Sequence, residues 1–501
     1  MVEKDRDNRL ASTVILAGIV AVAVCRPVFA IPQNAPVPAA QPPADGGEEA
    51  EKQKAPPAKP KMESEVDENG NPRPQKGDIP EDPMEAYQLQ QRRNVQVLRR
   101  YDKSLLTGPV IAGYQKHNKQ YRLLLTQGST RPTPKDMEVL KAALAFRLYS
   151  FSERTIQEDP LDLENAVKTI RREVVRAGSS MTNVSQRTGF REAYFREMLP
   201  LLRQLLKSNL TARSLAVEVM NDMEVVPKGT QGRLVMFDPI DDLMIEVLND
   251  PHQPDAIKAR VANSIANYLQ KTDSIPQVQM SFAAALEKQL QLPYTEMPYQ
   301  EVLLGAMEEV SVARQVVAPK RAIPFCIAGE LIQDKKRDIQ IRCHAARVWG
   351  RAGYDNSADF DVMAWATAQL AIETAVQFNN SKNKADPKWV RSGFYLYTAF
   401  HHWVKQGVAD RKGFLNRDAR SEAVRAAWEK VLPVASHLMI NRNLVPRGDL
   451  VALFQWVDAN KPTNLKYDPS CPALEEATPG NNGGAGAGAP PKSTSSAQAR
   501  Q

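Results

Sequence analysis

The residues able to do chemistry are few and widely spaced. Thiols stand at Cys25, Cys326, Cys343 and Cys471, and the only histidine cluster is His401-His402. Adjacent helix positions point about 100° apart, so that pair cannot readily clamp one metal ion. His344 joins His401 only if the fold brings them together. Asp238, Asp241 and Asp242 offer carboxylates for acid–base work, but they flank Pro239, where acids cap a helix start. A Walker loop, a Gly-x-Ser-x-Gly elbow, a His-Glu-x-x-His helix and a Cys-x-x-Cys pair are all absent from the sequence. No catalytic, cofactor-binding or metal-binding residue is therefore assigned, and no cofactor is expected. Asn183-Val184-Ser185, Asn209-Leu210-Thr211 and Asn379-Asn380-Ser381 fit glycan acceptors, a pattern short enough to arise by chance.

The first thirty residues give an address. Lys4, Arg6 and Arg9 precede an uncharged, mostly apolar stretch from Ala11 to Cys25, and Val28-Phe29-Ala30 closes it with a cleavage-type site. That order is the pattern of an export signal. The stretch is shorter than the ~20 residues a bilayer crossing needs, and Arg26 and Pro27 end it. Cleavage after Ala30 is the preferred reading, with an uncleaved anchor and lipidation at Cys25 as alternatives. The expected location is the periplasm, the cell envelope or the medium.

Without that segment, Cys326, Cys343 and Cys471 remain, too few for a disulfide framework, and one is left unpaired or bonded to another chain. Cys326 and Cys343 can pair if their helices are neighbours. Two buried, inert thiols is the competing reading. The formal net charge is +7, divided as +1 over residues 1–30, −5 over 31–82 and +11 over the remainder. No run of five or six basic residues concentrates that excess, so nucleic acid is not an expected partner. An anionic envelope polymer or lipid surface suits the basic body, as do solvated helix faces.

Residues 31–82 are dense in proline and acid, with too little apolar surface to offset ordering, and should stay a disordered spacer or tether. From Cys471 onward, glycine, proline and serine predict a flexible tail over 471–501. The body between reads as helical. Asp82-Pro83-Met84-Glu85, Thr133-Pro134-Lys135-Asp136, Asp159-Pro160-Leu161-Asp162 and Asp238-Pro239-Ile240-Asp241 each set a capping oxygen before a proline and an acid, the chemistry of a helix start. Tyr194, Met198, Leu202 and Leu205 fall on one helix face, with Pro200 predicting a kink or break. Ile341, Ala345 and Val348 repeat that spacing. Little strand is expected.

A repeat runs through the middle. Arg213, Arg260 and Arg342 each precede small residues, and Glu301 lies 41 residues from both Arg260 and Arg342. Shorter helices fit at about 240–250, 276–291 and 320–332. Helix pairs at this period mark stacked repeats. On Ile257-Lys258-Ala259-Arg260-Val261-Ala262-Asn263 and Ile339-Gln340-Ile341-Arg342-Cys343-His344-Ala345-Ala346, residues 195–352 resemble HEAT and armadillo-type proteins. The resemblance implies an α-solenoid in which each Arg pairs with a nearby acid, here Asp255 and Asp338. Glu301 in place of Arg, and a 47-residue step from Arg213 to Arg260, depart from the family pattern.

All six tryptophans lie between Trp349 and Trp456, and Ser392 to Trp403 holds no acid, lysine or arginine, so its helix should be enclosed. The expected organisation is a signal peptide (1–30), a spacer (31–82), an N-terminal helical region (83–194), HEAT-like repeats (195–352), a Trp-rich C-terminal helical region (353–470) and a tail (471–501). The expected function is an exported all-α scaffold that binds a partner protein or envelope polymer without catalysis, associating peripherally with membrane or wall. The alternative is an all-helical enzyme with a pocket in the Trp-rich third.

Overall fold

The computed structural model describes residues 83–474, apart from 102, 130, 227–233, 273–275, 293–294, 313–321, 353–357, 402–412, 418–420, 442–443, 469 and 472. The expected signal and spacer, and everything after Leu474, lie outside the described residues. The described chain is predominantly helical. Its helices are α1 (Pro83–Arg100), α2 (Gly108–Gln127), α3 (Pro134–Tyr149), α4 (Arg154–Glu158), α5 (Pro160–Arg176), α6 (Val184–Leu205), α7 (Leu210–Met220), α8 (Pro239–Asn249), α9 (Asp255–Lys271), α10 (Pro276–Leu290), α11 (Met297–Val312), α12 (Ile323–Gln333), α13 (Ile339–Arg351), α14 (Phe360–Asn380), α15 (Pro387–Phe400), α16 (Phe414–Arg417), α17 (Glu422–Ser436) and α18 (Arg447–Ala459). Two short antiparallel strands, β1 (Glu224–Val226) and β2 (Val235–Met236), sit between α7 and α8. Among the described residues, no helix is long and apolar enough to cross a membrane.

The helix starts follow local chemistry. Thr133 and Asp136 form a full capping box at α3, and Asp159 accepts from two backbone N–H groups at α5. Asp238 departs from the expectation. Its own backbone is already helical and its side chain caps nothing, so Pro239 opens α8 unaided. Pro200 does not break α6, which continues to Leu205. Asn183 and Asn209 serve as N-caps, and Asn209 is buried, which removes it as a glycan acceptor. Asn379 spends both ends of its amide on the backbone of Val445.

Helices α7 to α13, together with α15, pack in alternation. In one row α7 touches α9, α9 touches α11, α11 touches α13 and α13 touches α15; in the other, α8 touches α10 and α10 touches α12. The first row runs past residue 352, so α15 of the Trp-rich region packs directly on α13. Close approach there depends on Gly350, since a Cβ would strike the carbonyl of Ala399.

A buried polar side chain stands at the fourth residue of four successive helices in that row: Arg213 on α7, Lys258 on α9, Gln300 on α11 and Arg342 on α13. Arg213 Nε donates to Ser208 O at 2.6 Å, Gln300 Nε2 to Thr295 O at 2.6 Å and Arg342 Nε to Ile332 O at 2.8 Å. Lys258 Nζ donates to Gln289 Oε1 at 3.2 Å. Turns and the ends of the preceding helices strand backbone carbonyls, and Arg213, Gln300 and Arg342 satisfy three of them. The register therefore differs from the one read in the sequence. The buried polar positions of α9 and α11 are Lys258 and Gln300 rather than Arg260 and Glu301, and the steps between the four positions are 45, 42 and 42 residues. Arg260 is exposed. Asp255 bonds Tyr87 rather than Arg260, and Arg342 pairs with Glu373 at 2.7 Å rather than with Asp338, which caps α13.

The chain end corrects two further expectations. Cys326 is bonded to Cys471, with Cα atoms 5.2 Å apart across 145 residues, and Cys343 is the free, buried thiol. Cys326 and Cys343 thus do not pair, although α12 and α13 are neighbours. Cys471 and Leu474 belong to the folded body, since both are buried. Tyr467 fills a slot against Trp349, ring centroids 4.7 Å apart, over Gly329, where a Cβ would collide with the phenol. Asp359 N–H donates to Tyr467 O at 2.9 Å and fastens the segment further.

Candidate functional site

The densest charged cluster lies inside the first row, where α11, α13 and α15 meet. His344, Arg347 and Arg351 share one face of α13 at i, i+3 and i+7. That face looks toward Glu308 of α11. The Glu308 carboxylate sits 2.7 Å from Arg351 Nη1, 3.0 Å from Arg347 Nε and 3.8 Å from His344 Nε2. Glu308, His344 and Arg351 are buried. Burial alone would raise the Glu308 carboxyl, but Arg347 and Arg351, with His344, outweigh it and hold the group well below the usual range. Burial pushes His344 down, so its imidazole stays neutral.

From α15, Tyr395 stacks on His344 with ring centroids 4.3 Å apart and planes within 10°. The Arg347 guanidinium lies 5.1 Å from the Phe394 ring and 5.6 Å from that of Tyr395, a cation–π arrangement. Tyr395 OH donates to Glu301 Oε1 at 3.0 Å, Arg391 Nη1 donates to Glu301 Oε2 at 3.1 Å, and the Gln340 amide bonds the same carboxylate. Burial and the Glu301 charge raise the Tyr395 phenol, so it keeps its proton. The cluster thus grades from a closed interior at Glu308 to a rim. Phe394 and Tyr395 are half-buried there, and the Arg391 side chain is 55% exposed.

Chemically, this arrangement holds charge and presents a surface. Its acid is locked as an anion, its histidine as a neutral ring and its phenol as a donor. The fourth-residue ladder positions the helices, and the cluster fixes how they face one another.

Apart from His344, the residues considered from sequence fall elsewhere. Cys343 contacts Thr374 Oγ1 at 3.4 Å, and burial pushes its thiol up to about 12, the state of an inert thiol. His401 packs among Tyr397 and Trp428, with ring centroids 5.5 and 5.8 Å away, and His402 lies outside the described residues. His344 faces Glu308 and Tyr395 instead. Asp238, Asp241 and Asp242 stay at the start of α8, where Asp241 Oδ1 accepts from Asp242 N–H at 2.8 Å. Among the described residues, no group of three His, Cys, Asp or Glu could hold a metal ion. An open cleft of about 320 Å³ on α2, lined by Asn118, Lys119, Arg122 and Leu123, gathers none of these residues. Trp349, Trp365 and Trp389 are core filler, Trp428 and Trp456 are half-buried, and Trp403 lies outside the described residues.

Sequence reasoning missed Glu308, Arg347, Arg351 and Tyr395. The signal available was the basic face of α13, offset from the apolar face marked by Ile341, Ala345 and Val348. Comparison with known proteins gives no match: no family model, curated protein or solved structure is significantly similar to this chain.

Proposed function

We propose that this chain is an exported helical-repeat scaffold, of the HEAT type its middle resembles, that binds a partner protein along the α11–α13–α15 row. The observation that carries the reading is the rim of Arg391, Phe394 and Tyr395, set on side chains fixed from behind by Glu301, Arg347 and the buried Glu308. Arginine and aromatic side chains that are already ordered lose little freedom on binding and dominate contact energies. Helices stacked in rows offer such surfaces over several repeats. The Cys326–Cys471 bond supports export, because disulfides persist in oxidising compartments.

The test is site-specific photo-crosslinking in the intact cell envelope. A crosslinker at Phe394 should give a discrete adduct containing peptides of one partner. The same group at Arg260, exposed on α9, and at Arg172, exposed on α5, serves as control. An envelope glycan in the adduct would replace the protein reading with a polymer one. Identical background at all three positions would remove the rim as a binding surface. Export is tested separately: the mature protein should begin at Ile31, and recovery only from cytosol with Met1 intact overturns it.

A further inference from the structure

Helix α1 is held to the body in an unusual way. It lies against α7, and over residues 85–100 only Asn94 and Leu98 are buried. Its polar anchorage converges on one residue, Asp255, the first of α9. Tyr87 OH donates to Asp255 Oδ1 at 2.8 Å, and the Asp255 N–H donates to Gln91 Oε1 at 3.2 Å. Asp255 Oδ2 is shut away from water with no hydrogen-bond partner. A carboxylate placed so is costly, and a protonated carboxyl far less so.

We propose that α1 is a detachable arm whose docking is set by the protonation of Asp255, closed in mild acid and released toward neutral pH. The groups facing Asp255 are Tyr87 from α1, Lys258 on its own helix, and Glu296 and Tyr299 at the start of α11. Burial, the largest influence, and Glu296 oppose the anion and outweigh the Tyr87 hydrogen bond and Lys258, which favour it. Burial pushes the Asp255 carboxyl up to about 6, and lifting α1 away readmits water and returns it toward the ordinary value of about 3.9. The sign follows from linkage. The docked state binds the proton more tightly, so docking is strongest below pH ~4, weakens as pH rises to about 6 and is level above. A displacement of about two units bounds the weakening at roughly 100-fold. Release bares the first helices of the row, α7 and α9, and frees an 18-residue helix.

Hydrogen exchange on the full chain, corrected for intrinsic rates, tests this. Protection of amides 84–100 should fall 10- to 100-fold between pH 4.5 and 7.5, while α9 and α11 hold theirs. In Asp255→Asn, which keeps an acceptor for Tyr87, α1 should be as protected at pH 7.5 as the native chain is at 4.5. Should that variant misfold, Tyr87→Phe serves instead and should lower α1 protection at pH 4.5 at least several-fold. A native α1 whose protection ignores pH, an Asp255→Asn chain that loosens as the native one does, or a Tyr87→Phe arm as firm as the native one overturns the proposal.

Discussion

Arg351 places its guanidinium 2.7 Å from the carboxylate of Glu308, and both side chains are closed off from water. Removing the Glu308 charge takes the carboxylate away from buried Arg351 and half-buried Arg347. Glu308→Gln should cost about 3–5 kcal/mol at pH 7, the range for breaking a buried ion pair. Replacing Glu308, Arg347 and Arg351 together by Leu, Met and Met should recover most of it. Urea midpoints of the single and triple variants check both.

The same cluster sets an acid limit. His344 is held neutral with a lowered pKa, so the unfolded chain binds its proton more readily and stability falls below about pH 6.5. Glu308, held ionised, contributes stability that is present above about pH 4.3 and lost as pH falls through its lower folded value. Urea midpoints between pH 3 and 8 should decline in these two stages. Glu308→Gln should abolish the lower one.

The register of the ladder is testable at two arginines. Arg342→Met should cost about 2–4 kcal/mol, because it leaves Glu373 and the Ile332 carbonyl without their donor. Arg260→Ala, on the exposed face of α9, should stay within about 0.5 kcal/mol. Equal effects in thermal melts would return the repeat to the register read from sequence.

Two glycines separate close approach from free space. Gly350→Ala drives a methyl into the Ala399 backbone and should destabilise by about 3 kcal/mol or more. A Cβ at Gly305, mid-helix on α11, meets nothing within 4 Å, so Gly305→Ala should stabilise by roughly 0.5–1 kcal/mol. Paired melting curves decide.

The disulfide predicts a labelling pattern. Unfolded without reductant, a chain lacking its first thirty residues should take up one alkyl group, at Cys343, and three after reduction. Peptide mapping should return Cys326 joined to Cys471. Cys471→Ser should lose up to about 5 kcal/mol in the chain-entropy account of a loop this long.

Helix starts were the most legible features, because Thr133, Asp159 and their prolines act on backbone within one turn. The shorter helices expected at about 240–250, 276–291 and 320–332 were legible for the same reason, and stand at Pro239–Asn249, Pro276–Leu290 and Ile323–Gln333. What escaped was set by contacts distant in sequence. Asp255 is read as a partner for an arginine five residues away, yet its bond goes to Tyr87, 168 residues upstream. Cys326 lies near Cys343 in sequence but meets Cys471 because the chain end folds back over Trp349. Glu308 looks like one of many surface acids until α13 turns three basic side chains onto it. Local spacing placed the helices, while the identity of the buried position within each helix needed the turns that precede it.

The bond between Cys326 and Cys471 makes a covalent ring of the last third of the body. A protease cutting anywhere within that ring yields pieces that stay joined until a reductant parts them. A chain made or threaded from its N-terminus also presents Cys326 long before Cys471 arrives. Until then α12 lacks its Tyr467 cover, so the C-terminal region cannot finish assembling before Cys471 arrives.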